Sequence, residues 1–322
     1  MPALISHYLF GEEVLNKSNP IIASYTPTQE HKDAFLLGCQ GPDPLFFSVH
    51  SRGASCGRRF ASLQHKYHIS QQLEAYKEAL SYLDENDKDL GYAYILGWLA
   101  HFQLDTVAHP FVYAHQYALI DSCGESISDA HNCVHAIVES DIDSALLKLM
   151  RNKEAPSLPP VRVLRASKRS LKVAGLLHAY VAQKVFALPL LKTEFKSAVQ
   201  DMRIAYSLLE SKNGKNALIL GKLERLKSKH SILASLSHRW SCDKSYWQLN
   251  MDHRPWLDPF KHKERRESFV DLFEEALARY MAASAHFLYE RSQSQICKGH
   301  NFNGARLSDD EAKVLDLMRD AS

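Results

Sequence analysis

No two of the six cysteines in this 322-residue chain form a Cys-x-x-Cys pair; Cys39, Cys56, Cys123, Cys133, Cys242 and Cys297 are scattered. Thiols placed this way in a long chain indicate reduced cysteines rather than a disulfide framework. A metal centre would then be built from nitrogen and oxygen donors. Long hydrophobic runs are missing as well. The longest candidate, Leu90 to Leu104, is 15 residues, short of the roughly 20 that span a bilayer. The start, Met-Pro-Ala-Leu-Ile-Ser-His, lacks the basic and apolar regions of a secretory signal, so a cytoplasmic location is expected. There is no His-Glu-x-x-His, no adjacent His-Asp pair and no Walker-type loop, which removes the local signatures of several hydrolase and nucleotide-binding classes. A Ser/His/Asp triad is recognised by geometry, which could still build one.

Apolar content of 45% and charged content of 24% are those of a globular protein. The net charge of +2 hides an asymmetry: residues 1–150 carry a balance of −9 and residues 151–322 one of +11. The basic half either presents solvated helix faces or helps to hold an anionic substrate. Basic residues interleaved with aromatics, as a nucleic-acid groove would want, are not obvious.

Apolar residues recur at spacings of three and four nearly throughout, and strand-like alternation is rare. The pattern predicts an all-α fold with helices near 3–17, 28–38, 60–84, 88–105, 126–150, 163–186, 190–211, 215–237, 264–292 and 308–319. Loops are expected at Ser18–Thr28, Gly38–Gly57, Ala155–Pro160 and Cys242–Pro259. Three prolines in Ala155-Pro-Ser-Leu-Pro-Pro160 mark a possible boundary. It would separate a metal-binding part, 1–150, from a basic helical part, 160–322, within a single helical domain 1–322. Segment 88–105 is apolar almost all round, as a buried helix is. Yet it ends in His101 and Asp105, and buried ionisable groups are costly unless paired or metal-bound.

Ten of the seventeen histidines lie in residues 1–135. His101-Phe-Gln-Leu-Asp105-Thr-Val-Ala-His109-Pro110 and His135-Ala-Ile-Val-Glu139 repeat one spacing, an imidazole and a carboxylate four residues apart. On a helix these share a face one turn apart. Imidazole with carboxylate is a donor set for zinc and related cations. His7, Asp43, His65 and His68 add candidates, and His131 extends the stripe of His135. A lone helical histidine is more often an ordinary surface or core residue than a ligand. Asp43 between two prolines could be only a turn residue, and Asp141 and Asp143 could sit on a solvated face or cap a neighbour. The paired spacings are what favour a metal site with more than one ion.

These residues resemble the zinc-dependent phospholipase C family, in a bacterial branch without a secretion signal. The resemblance lies in Ser6-His7-Tyr8 with Phe10-Gly11-Glu12, Gly41-Pro42-Asp43-Pro44-Leu45-Phe46, His65, Leu96-Gly97, His101 to Asp105, His109-Pro110 and His135 to Glu139. It covers roughly residues 1–150. Asn250–Pro259 is similar to a C-terminal feature of that branch, with no ligand role assigned. The resemblance implies an all-helical bundle of the phospholipase C and zinc-nuclease kind, with metals between helices. It implies one zinc held by Asp43, His65, His101 and Asp105, and a second held by His109, His135 and Glu139. A third would involve His7, with Asp105 as a bridge. The family's histidine after the bridging aspartate usually comes six residues later, so His115 is an alternative to His109, as His68 is to His65. Two or three zinc ions would lower the pKa of a bound water towards about 7 and neutralise charge on a phosphoryl group. Asp43 or Glu139 would act as general base. The implied activity is phosphodiester cleavage by zinc-bound hydroxide, on a phosphoester that could be a phospholipid. A cytoplasmic phosphomonoesterase, a nuclease on the same scaffold and a non-catalytic helical protein with structural metal are the rival readings.

Overall fold

The structure, a computed structural model, describes residues 4–306 apart from 18, 124–126, 210–215, 217–218, 220, 223–231, 239–245 and 291. It is helical, and among the described residues strand pairing is confined to one small ribbon and an isolated bridge. The first half runs α1 (Leu4–Asn16), α2 (Pro20–Tyr25), α3 (Gln29–Gly38), a 3-10 turn (Asp43–Phe47), α4 (Ala54–Lys66), α5 (Ile69–Ala79), α6 (Glu85–Cys123) and α7 (Ile127–Arg151). The second half runs α8 (Pro160–Val163), α9 (Lys168–Phe186), α10 (Glu194–Leu209), α11 (Ile232–Ser235), the antiparallel ribbon β1 (Trp256–Asp258) with β2 (Lys263–Arg265), α12 (Phe269–Tyr289) and α13 (Ser294–Cys297).

The all-α expectation holds, but several boundaries move. The expected helix 60–84 is two helices, broken where His68 takes a left-handed conformation at φ 58°. The expected helix 88–105 is a single helix from Glu85 to Cys123 that runs through Pro110. An interior proline removes one backbone donor and clashes with the preceding turn, yet here the helix is held on several sides by packing. The loop 18–28 contains α2, and the loop 242–259 contains β1. Of the expected helix 215–237 only a few residues, α11 among them, are described, and 308–319 lies outside the described residues.

α6 is the axis of the molecule, packing against α1, α3, α7, α9, α12 and β1. Its buried Tyr94, Ile95, Leu96, Trp98, Leu99 and Phe102 sit in a contiguous apolar cluster that reaches from Leu4 to Phe302. The crossing with α3 is a backbone-to-backbone approach at paired glycines. A Cβ on Gly38 would lie 2.1 Å from the Tyr94 carbonyl oxygen, and one on Gly97 would lie 2.0 Å from that of Phe35. This closeness places the chain leaving α3, with Cys39 and Asp43, against His101 one turn further along α6.

Candidate metal centre

α6 supplies His101, Asp105 and His109 from consecutive turns of one face, and α7 supplies His135 and Glu139. α4 places His65 in its last turn, and the 3-10 turn begins at Asp43. His7 comes from the first turns of α1. That helix start is held by Asp143 of α7, which accepts from Ile5 N (2.8 Å), Ser6 N (2.7 Å) and Ser6 Oγ (2.6 Å). A carboxylate on exposed helix-terminal N–H groups is favourable in itself.

The eight side chains converge as three groups whose donor atoms lie within 4.8 Å of one another: His7, His101 and Asp105; Asp43, His65 and His101; His109, His135 and Glu139. Asp105 stands between them. Its Oδ1 is 3.1 Å from His7 Nε2, and its Oδ2 is 3.3 Å from His101 Nε2 and 3.7 Å from His109 Nδ1. Asp43 Oδ1 is 3.0 Å from His65 Nε2. Glu139 Oε1 is 3.3 Å from His135 Nε2 and 3.5 Å from His109 Nε2. His68 and His115 belong to none of the groups; His115 Nδ1 is turned onto the carbonyl of Phe111. His131 stacks beside His135 at 6.5 Å between ring centroids and is also outside them.

Four of the imidazoles have Nδ1 fixed by an oxygen that can only accept. His65 donates to the Ala61 carbonyl (2.8 Å) and His101 to that of Cys39 (3.1 Å). His109 donates to the Phe302 carbonyl and His135 to Gln116 Oε1, both at 2.8 Å. Gln116 is oriented by its own amide, which donates to the His131 carbonyl. Each ring, when neutral, then turns a bare Nε2 lone pair towards a carboxylate oxygen. Acceptor facing acceptor at 3.0–3.5 Å is repulsive unless a cation or a proton lies between. His101 Nε2 is buried without a hydrogen-bond partner, and so is His7 Nδ1. Three buried carboxylates surrounded by imidazoles fit a divalent cation, and the donor set suits zinc.

The electrostatics agree. Burial alone would raise the three carboxyls, yet neighbouring imidazoles outweigh it. Asp43 is held below its ordinary range chiefly by His101 and His65, and Asp105 well below it by His109, His101 and His7. Glu139 is held far down by the positive charge around it, His135 included. Burial pushes His101 and His135 down, towards the neutral form that ligates. Against the same burial, Asp105 and Glu139 raise His109 to about 9, and Asp105 raises His7.

Sequence reasoning missed Gln116, His238 and Phe302, while of the two readings open for Asp143 the cap is the one observed. Asp143 is fully buried, not on a solvated face, and His238 Nε2 lies 3.0 Å from its Oδ2. Its position four residues after Glu139 was the available signal. Phe302 gave none.

A family model described as zinc dependent phospholipase C matches residues 6–183. No curated protein and no solved structure matches the chain.

Proposed function

The chain belongs to the zinc-dependent phospholipase C family, and from that premise we propose that it hydrolyses phosphodiesters at the centre formed by His7, Asp43, His65, His101, Asp105, His109, His135 and Glu139. The observation that carries this reading is the set of locked imidazoles whose Nε2 atoms face buried carboxylates. Bound divalent cations would supply Lewis acidity towards phosphoryl oxygens and bring the pKa of water near neutrality.

The chain's own residues divide the work. Asp43, His65, His101 and Asp105 would hold one ion. His109, His135 and Glu139 would hold a second with three protein donors, the number that leaves a position for substrate or water. His7 and Asp105 would hold a third. The proton of the attacking water passes to Asp43 or Glu139, and the pH profiles of Asp43→Asn and Glu139→Gln separate the two. The contiguous core from Leu4 to Phe302 supports a single helical domain. Free thiols at Cys39, Cys56 and Cys297 support a reducing, cytoplasmic setting. No helix among the described residues is long and apolar enough to cross a membrane.

The test couples metal quantitation to a phosphoester panel. Protein purified without chelator is expected to hold at least one transition metal per chain and to cleave bis-p-nitrophenyl phosphate or p-nitrophenyl phosphorylcholine. Metal below that level, or full activity in Asp105→Ala, overturns the reading. A nuclease is the second reading, favoured by an aromatic wall beside the second group. Tyr113 lies 5.0 Å from the His135 ring, with Phe260 at 5.5 Å, Tyr117 at 6.0 Å and His131 at 6.1 Å from Tyr113. Aromatic side chains of this kind can stack bases. Salt-sensitive cleavage of single-stranded oligonucleotides, lost in Tyr117→Ala, would select it.

A further inference from the structure

Residues 301–305 lie more than a hundred residues beyond the family match, yet they touch the metal centre at three of its histidines. Phe302 is fully buried. Its carbonyl accepts from His109 Nδ1 at 2.8 Å, and its N–H donates to the His65 carbonyl at 3.1 Å. Its ring packs on those of His65 (4.8 Å between centroids), His101 (5.5 Å), Trp98 (5.3 Å) and Phe102 (5.0 Å).

The segment is built to stay in place. Asn301 Oδ1 accepts from the backbone of Asn303 (3.0 Å) and Ala305 (3.2 Å), and Asn301 N donates to the Ala305 carbonyl. Thr106 Oγ1 of α6 donates to the Asn301 carbonyl at 3.2 Å. Gly304, at φ 74°, lies flat on α6; a Cβ there would be 2.6 Å from the Thr106 oxygen and 2.8 Å from Pro110. Pro110 lacks an N–H, so the Thr106 carbonyl has no helical partner at that turn, and this is the surface the segment covers.

We propose that Asn301–Ala305 is a positioning strap of the metal centre, and that Phe302 fixes the tautomer and orientation of His109 through its backbone carbonyl. The inference rests on the metal-centre reading above. A carbonyl behind a ligating histidine sets which nitrogen is free and where it points, and loss of such partners typically costs about 10–100-fold in metal affinity. Phe302 is a positioning residue, since it touches ligands and not substrate. The strap's carbonyl acts directly on His109, so a loosened strap should release the ion of the His109, His135 and Glu139 group first.

The experiment uses the full-length protein and three strap variants. Gly304→Ala lifts the strap, Thr106→Val removes one bond at similar volume, and Phe302→Leu keeps an apolar plug. Leu177→Ala in α9 serves as a control for general destabilisation. Metal release is followed by chelator titration, and the His109 tautomer by 15N NMR of metal-free protein at a pH above the His109 pKa of about 9, where the ring is neutral. Gly304→Ala, or Thr106→Val should Gly304→Ala fail to fold, is expected to release its first ion at about tenfold lower chelator and to lose the pure Nδ1–H form of His109. Leu177→Ala should do neither at an equal fall in Tm, and Phe302→Leu should stay close to the unmodified protein. Release that tracks Tm alone, or a His109 tautomer unchanged in both Gly304→Ala and Thr106→Val, overturns the strap. Should the unmodified protein hold no metal, the hydrolase reading fails, while the tautomer measurement still decides the strap.

Discussion

His101 and His109 stand two turns apart on α6 and face different groups, His101 towards Asp43 and His65, His109 towards His135 and Glu139. Eight residues at 3.6 per turn leave a rotation of about 80° between them. That drift points one ring at the α3–α4 side and the other at α7, with Asp105 between.

His101→Ala and His135→Ala should therefore have separable effects. His135→Ala is expected to lose the ion of its own group and keep the others. His101→Ala removes a donor of the ion at Asp43 and His65, and with that ion gone Asp105 loses its bridging role, so the His7 ion should leave as well. Each should lower kcat/KM by more than the roughly hundredfold ceiling typical of outer partners. Metal counting by mass spectrometry on the two variants checks this, and equal stoichiometries would refute the division of ligands.

How much of this was legible follows from distance along the chain. The four-residue spacings keep side chains on one helix face whatever surrounds them, so His101, Asp105, His109, His135 and Glu139 could be read as pairs from the sequence. Asp43 and His65 have no such local rule; they stood only as candidates, and their place in one ligand set came through resemblance. Gln116 and Phe302 act by offering an oxygen to an imidazole from a place only the tertiary fold decides. The helix boundaries failed for a related reason. Pro110 is a local signal that packing around α6 outweighed, and nothing in a histidine announces the left-handed turn at His68.

Gln116 gives a sharper test of the imidazole geometry. It is fully buried, and its Oε1 is the acceptor for His135 Nδ1. Gln116→Leu conserves much of the volume but leaves that N–H with no acceptor, so the ring is free to change tautomer. Metal affinity is expected to fall about 10–100-fold with the fold intact. Chelator competition, with circular dichroism to confirm folding, is the measurement; an unchanged affinity would show that Gln116 does not orient His135.

The glycine crossing makes a prediction about stability rather than chemistry. In Gly97→Ala the new Cβ would meet the Phe35 oxygen at 2.0 Å and the Cys39 nitrogen at 2.9 Å. Backbone cannot step aside as a side chain can, so α3 and α6 must separate. Overpacking of this kind costs about 1–3 kcal/mol, and more where it is rigid. Urea unfolding should show a loss at or above that range. Because α3 carries the chain into Cys39 and Asp43, metal affinity at the Asp43 group should fall along with stability.

His178 predicts how the fold responds to acid. It is fully buried in α9 away from the metal groups, with Nδ1 2.9 Å from Tyr76 Oη and Nε2 2.6 Å from Tyr94 Oη. One hydroxyl donates and the other accepts, which suits a neutral ring. Burial lowers its pKa to about 3. Its folded pKa is thus below the unfolded value of about 6.5. The unfolded chain binds a proton here that the native state refuses, so the contribution is complete above that value and is lost as pH falls towards about 3. Between pH 6.5 and 4.5 one such group removes about 2 kcal/mol. His178→Phe should carry a lower baseline stability, because the Tyr94 hydroxyl loses its partner and that of Tyr76 keeps only Gln64, but a shallower decline over that interval. Chemical unfolding of both proteins across pH 4.5–6.5 measures the difference in slope, and parallel curves would show that His178 does not stay neutral in the fold.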